Sequence, residues 1–333
     1  MIEELMDQTD YAGPSTQPLN DDLPRRVSTR FGQCPDCGTD HRYAVVTGSN
    51  KGIGFEIVRQ LASSGIKVVL TARDEQRGLQ ALETLKASGL SHSVVFHQLD
   101  VADAASVATL ADFLKSQFGK LDILVNNAGI GGVEIKDRDL FTSTIITKGA
   151  LSDDELRRTM TQSYESTKEC LEINYHGAKR TFECLLPLLQ LSDSPRVVNV
   201  SGTLGKIECV SNEWAKGVFN DVDNLTEEKI DEVLKEFIKD FEQGSLERKG
   251  WPRYFASYIV AKASMNAYTR IIAKKYPNFC INCVCPGYVK TDITANTGFF
   301  TTKEGAAHPV RLALLPNGSP SGLYYIRNEL SSF

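Results

Sequence analysis

No run of apolar residues in this 333-residue sequence approaches the roughly 20 needed to cross a bilayer. The longest, around 67–70 and 122–125, have the length of single strands, so a soluble protein with no membrane partner is expected. Any Lys- or Arg-rich block is equally absent. The 37 basic residues stand against 42 acidic ones, a net charge of -5, which leaves no electrostatic footprint for nucleic acid. The N-terminus, Met1-Ile2-Glu3-Glu4-Leu5, lacks the apolar core of a secretory signal, and its acidity argues against an organellar transit peptide. A cytoplasmic location is the expectation. Eight cysteines are too few for a disulfide framework in a chain that can bury a full core, and reduced thiols are expected. Two pairs have the spacing of half a metal knuckle. Cys34-Pro35-Asp36-Cys37 falls in a polar segment, and Cys280-Ile281-Asn282-Cys283 falls in a strand pattern that sends Cys283 and Cys285 to one face and Cys280 to the other. No metal is expected.

Residues 1–41 are rich in Asp, Pro, Ser, Thr and Gln without sustained periodicity, which predicts a disordered tail. From Tyr43 the pattern changes. Short β-rich runs at 43–47, 67–71, 94–98, 123–126, 196–201 and 280–285 alternate with amphipathic helical segments, which predicts βαβ units wound into a parallel sheet covered on both faces. The fold class expected for 42–333 is a single doubly wound α/β domain of Rossmann type. Two connections, 130–160 and 205–251, exceed ordinary length, as connections that carry function or cover a surface do. The second contains a helical pattern over 226–243. Thr226 can cap it, Glu227 and Glu228 suit its positive end, and Ile230, Val233, Leu234, Phe237, Ile238 and Phe241 form one apolar stripe.

The first strand pattern runs into Thr47-Gly48-Ser49-Asn50-Lys51-Gly52-Ile53-Gly54 and then a helix. Glycine lets a backbone turn tightly and approach a pyrophosphate, and a helix N-terminus offers free N–H groups to that anion. A dinucleotide site is therefore predicted at Gly48, Asn50, Lys51, Gly52, Ile53 and Gly54. At the end of the second strand pattern an NAD site needs a carboxylate and an NADP site a cation. The chain reads Leu70-Thr71-Ala72-Arg73, so Arg73 and Lys51 point to NADP(H), while Asp74 is placed to cap the next helix. Further on, Tyr258 and Lys262 lie four apart in a helical segment and share a face. A close ammonium is expected to lower the phenol's pKa, fitting the pair for proton exchange with a carbonyl oxygen.

The TGxxxGxG spacing does not stand alone. With Asn126-Asn127-Ala128-Gly129, Leu99-Asp100-Val101, Tyr258-x-x-x-Lys262, and Pro286-Gly287 followed by Val289 and Thr291, it resembles the short-chain dehydrogenase/reductase superfamily across most of 43–291. The resemblance implies that Asn127, Ala128 and Gly129 border the adenosine ribose and that Leu99, Asp100 and Val101 hold the adenine ring. It implies that Pro286, Gly287, Val289 and Thr291 close over the nicotinamide, that Lys262 also bonds the nicotinamide ribose, and that Asn174 holds a water in a proton relay. One position departs from the family. Where relatives read Asn-Val-Ser-Ser, this chain reads Asn199-Val200-Ser201-Gly202-Thr203, with glycine at the serine that orients the substrate carbonyl. Ser201 or Thr203 is the candidate to supply a hydroxyl instead, with Gly202 and Thr203 lining the substrate. The alternative is a weakly polarising site, and with it a cofactor-binding protein of little activity.

Segments such as 212–217 and 312–316 resemble the plant branch of the family that contains menthone/neomenthol and salutaridine reductases. This implies reduction of a cyclic ketone to a secondary alcohol, first a menthone-type terpenoid, then an alkaloid ketone, and behind these a conjugated C=C bond. A relative with that last activity carries glutamate at the position of Tyr258. The 205–251 insertion resembles that of monomeric carbonyl reductases and implies a monomer.

Overall fold

Strands β1 (Tyr43–Val46), β2 (Lys67–Ala72), β3 (Val94–Gln98) and β4 (Ile123–Asn126) alternate with helices α1 (Gly52–Ser63), α2 (Glu75–Leu85) and α3 (Ala104–Gln117) in a computed structural model that describes residues 41–149 and 151–333. The expected tail up to residue 40, with Cys34 and Cys37, lies outside the described residues. After β4 a small antiparallel pair, β5 (Glu134–Ile135) and β6 (Met160–Thr161), encloses α4 (Arg138–Lys148) and α5 (Asp153–Thr159). Then follow α6 (Tyr164–Leu171), α7 (Ala178–Leu189) and β7 (Arg196–Val200). The insertion contributes α8 (Glu213–Asn220) and α9 (Glu227–Glu242) ahead of α10 (Ala256–Lys275) and β8 (Cys280–Cys285). The chain ends with α11 (Thr302–Ala313), β9 (Tyr324–Ile326) and β10 (Glu329–Ser331).

The main sheet has the order β10-β9-β8-β7-β4-β1-β2-β3. Its winding reverses between β1 and β4, and in open α/β sheets that reversal opens a crevice at the carboxyl ends of the strands. Apolar side chains alternate between the two faces. Val45 and Val69 join a core with α3, α7, α9 and α10, whereas Val46, Val68 and Leu70 join another with α1, α2 and α11. This two-sided burial is why the strands read as nearly continuous apolar runs. The six expected strands are present within a residue at either end. The expected parallel sheet is present, with one antiparallel edge where β10 pairs with β9 after Arg327, at φ 57°, turns the chain back.

The insertion helix forms as its sequence dictates. The Thr226 hydroxyl accepts from the Lys229 amide, and Ile230, Val233, Leu234 and Phe237 are buried. Ile238 and Phe241 pack at the margin of the same core. Cys283 and Cys285 share a buried face with Tyr324. Among the described residues no helix is long and apolar enough to cross a membrane.

Candidate active site

The glycine loop is built by close backbone approach. Thr47 Oγ1 accepts from the Asn127 and Ala128 amides at 3.0 and 2.9 Å, and Asn127 Nδ2 donates to the Thr47 and Gly48 carbonyls at 2.9 and 3.1 Å. Gly48 has a positive φ of 60°, and a Cβ there would come within 2.9 Å of Ala128 Cα. At Gly54 it would lie 2.5 Å from Asn127 Nδ2. Helix α1 then starts with no side-chain cap on Lys51 and no acidic residue in its first turn. Its positive end is left for an anion, so the cradle fits a pyrophosphate. Ile53 packs inward against the α1 core while Asn50, Lys51 and Gly52 line an open groove. Thr291 approaches this loop, its Cγ2 lying 3.6 Å from where a Gly52 Cβ would be.

Basic side chains stand on the glycine loop and just after β2, each paired with a carboxylate. Arg73 follows β2 directly, is exposed, and pairs with Glu169 at 3.4 Å. Lys51 Nζ meets Asp292 Oδ2 at 2.5 Å. Asp74 caps α2 by accepting from the Arg77 amide at 2.9 Å, the role its position implies. Arg77 itself lines the groove with Lys51 and Asp292, a member the sequence reading missed. Its signal was available, since it sits in the first turn of a helix that starts beside Arg73. Leu99 and Val101 are buried beyond β3, Leu99 bonding to the Ala72 carbonyl at 2.9 Å. The Asp100 carboxylate accepts from the Ala102 amide at 3.0 Å and so shapes that turn.

Tyr258 and Lys262 project from the first turns of α10 toward the ends of β4 and β7. Lys262 is buried and donates to the Val200 carbonyl at 2.8 Å. Its Nζ is 5.8 Å from the centroid of the Tyr258 ring. A Cβ on Gly129 would lie 3.4 Å from Lys262 Nζ and 3.1 Å from Asn174 Oδ1, which brings three predicted residues together. Burial pushes the Lys262 ammonium down to about 8, partly offset by the Cys170 and Cys285 thiols. Burial also pushes the Tyr258 hydroxyl well above the usual phenol range, with the same two thiols adding to the rise. The expectation of a lowered phenol is therefore corrected: desolvation outweighs a lysine whose ammonium is committed to a carbonyl.

Asn174 lies in a π-helical turn, 172–177, that joins α6 to α7. Such widened turns recur at functional sites, and no pattern in the sequence marked this one. The Asn174 amide clamps the Ile130 peptide, accepting from its N–H and donating to its carbonyl at 2.8 Å each. It also approaches Cys170 Sγ at 3.2 Å.

The segment after β7 resolves which position faces Tyr258. A Cβ on Gly202 would meet Tyr258 Oη at 3.0 Å, so this is where a serine hydroxyl would face the phenol. Neither proposed substitute stands there. Ser201 Oγ is buried without a hydrogen-bond partner and faces Gly205, where a Cβ would lie 2.8 Å from it. Thr203 Oγ1 is engaged with Cys285 Sγ at 3.3 Å. Alternation along an extended chain accounts for the correction, because neighbours of Gly202 point to other sides.

Past β8, Pro286 is buried, and Gly287, at φ 86°, turns the chain under Phe300. Val289 is buried beneath Gly305 of α11. Phe141, Ile145, Leu151, Leu156 and Met160 form a small core with Ala295, so the 130–160 connection and the segment after β8 pack on one another.

These features have close counterparts among known proteins. A family model described as short chain dehydrogenase matches residues 42–213. The (+)-neomenthol dehydrogenase of Arabidopsis thaliana is 55% identical over 295 residues, covering 88% of this chain and 98% of that protein. The solved structure of salutaridine reductase from Papaver somniferum is similar with a TM-score of 0.81 at 52% identity, covering 86% of this chain and 99% of its own. Menthone neomenthol reductase from Mentha piperita is similar with a TM-score of 0.78 at 51% identity, covering 87% and 100%. With its glycine cradle, switch-point crevice and Tyr258/Lys262 pair, the chain belongs to the short-chain dehydrogenase family and is an oxidoreductase acting on CH–OH and C=O groups.

Proposed function

We propose that the protein reduces a cyclic ketone to a secondary alcohol with NADPH, a menthone-type terpenoid ketone being the favoured substrate. The observation that carries this reading is the convergence of Tyr258, Lys262 and Asn174 on the ends of β4 and β7, beside the glycine loop. When bound, the reduced nicotinamide supplies a hydride to the ketone carbon. Tyr258 gives its hydroxyl proton to the carbonyl oxygen, and the resulting phenolate is stabilised by the nearby Lys262 ammonium. Burial raises the cost of giving up that proton, so the charge on Lys262 has to offset it. Asn174 fixes the Ile130 backbone at the rim of the site.

Lys51, Arg73 and Arg77 support NADPH over NADH. A 2'-phosphate would compete for Lys51 and Arg77, which line one groove, and for Arg73 at the end of β2 with their present carboxylate partners Asp292, Asp74 and Glu169, and a guanidinium meets phosphate oxygens as a fork. Asp74, the residue after Arg73, is occupied as a helix cap. The substrate class rests on the relatives, one a neomenthol dehydrogenase and another a salutaridine reductase. The latter favours an alkaloid ketone as the second reading. The protein acts in this reading as a monomer, α9 packing across α6 and α10, and in the cytoplasm; sedimentation at micromolar concentration checks the mass.

The deciding experiment offers the purified protein NADPH with menthone, a morphinan dienone or a conjugated enone and identifies the products. Alcohol from menthone is the expected result. Turnover of the dienone alone favours the alkaloid reading. NADPH binding without any turnover makes the chain a cofactor-binding protein.

A further inference from the structure

Glycine at 202 is not demanded by its backbone, which is extended at φ -162° and ψ 162°, a conformation open to any residue. Its effect is on the wall of the site. With no side chain there, the surface facing Tyr258 Oη is the peptide backbone itself, at the residue type least able to hold a fixed conformation. Something must fix that peptide if a carbonyl is to rest against it within reach of Tyr258.

The Gly202 carbonyl receives two donors. The Gly205 amide closes the following turn at 2.8 Å, and Tyr324 Oη reaches across from β9 at 3.0 Å. Tyr324 is fully buried, its ring packed with Cys283 and Cys285 and lying 5.9 Å from that of Phe333. A buried phenol that loses its partner pays a large desolvation penalty, so this bond is held firmly. Burial also pushes the Tyr324 hydroxyl well above the usual phenol range, with Cys285, Cys283 and Tyr258 adding to the rise, which keeps it a neutral donor.

We infer that Tyr324 is a positioning residue of the reduction: its buried hydroxyl pins the Gly202 peptide opposite Tyr258 and so takes over part of the task of the absent serine side chain. This rests on the ketone-reductase reading. It gives the glycine a compensation from a strand far along the chain, and it separates Tyr324 from an ordinary core tyrosine, whose loss would act on stability alone.

The test is a double-mutant cycle on Tyr324→Phe and Gly202→Ser, with kcat and KM for menthone, NADPH affinity and thermal midpoint measured for all four proteins. Misplacement of a reacting group by about 1 Å can cost on the order of 100-fold. Tyr324→Phe is therefore expected to lower kcat by about tenfold or more in the natural background while leaving NADPH affinity unchanged. In the Gly202→Ser background the same change is expected to cost less than about twofold. Equal losses in both backgrounds, or no loss in either, overturn the proposal and leave the reductase reading standing. No ketone turnover by any of the four overturns both. Should the serine variant fail to fold, hydrogen exchange at the Gly205 amide, which shares the same acceptor, decides. Exchange in Tyr324→Phe about tenfold faster than in the natural protein supports the pin, and unchanged exchange overturns it.

Discussion

At Tyr258 two effects of opposite sign compete. A nearby ammonium favours the phenolate, and burial favours the phenol. Burial wins, the Lys262 ammonium being bonded to the Val200 carbonyl and 5.8 Å from the centroid of the Tyr258 ring. The consequence falls on Lys262, whose pKa burial pushes down to about 8. Below that pH the side chain is charged and can stabilise a phenolate; above it the charge is lost. Initial rates of ketone reduction measured across pH at constant ionic strength are expected to be level near neutrality and to fall as pH rises through about 8. In Lys262→Arg the guanidinium keeps its charge, so whatever activity remains is expected to lose that alkaline limb. A limb near 8 that persists in the arginine variant assigns it to another group.

Among the elements, α9 shows most directly how an insertion becomes part of the fold. Its stripe buries Ile230, Val233, Leu234 and Phe237, and Phe237 packs edge-on against Trp251 with ring centroids 5.1 Å apart. Trp251 Nε1 donates to the buried Asp240 carboxylate at 2.8 Å, tying the end of the insertion to its own helix. Phe237→Ala is expected to cost about 3–5 kcal/mol of stability, as large-to-small changes of buried aromatics do. Urea unfolding checks it, and a loss below about 1 kcal/mol contradicts the burial described. This helix was legible in the sequence because cap, charge and stripe agreed. β9 and β10 were not. Leu323-Tyr324-Tyr325-Ile326 is a short apolar run whose pairing depends on contact with distant β8, and its turn is made by Arg327, a residue type that does not advertise a positive φ.

For the whole molecule, the alternation of strands and helices fixed the winding, and the winding put the glycine loop, Asn127–Gly129 and the Tyr258/Lys262 face at one crevice. That much followed from local patterns, because the glycine loop and Asn127–Gly129 sit at strand ends and the Tyr258/Lys262 pair shares one face of a helix. What stayed hidden depends on contacts between distant segments: the Asn174 clamp on Ile130, the Tyr324 bond to Gly202, and the engagement of Thr203 with Cys285. The most direct test of the central claim compares ketone-dependent NADPH oxidation by the natural protein and by Tyr258→Phe, with NADPH binding followed by fluorescence. General-acid groups typically contribute 10²- to 10⁴-fold. The expected result is a loss in that range with cofactor affinity retained; turnover by the phenylalanine variant within a few-fold of the natural protein contradicts the assignment of Tyr258 as proton donor.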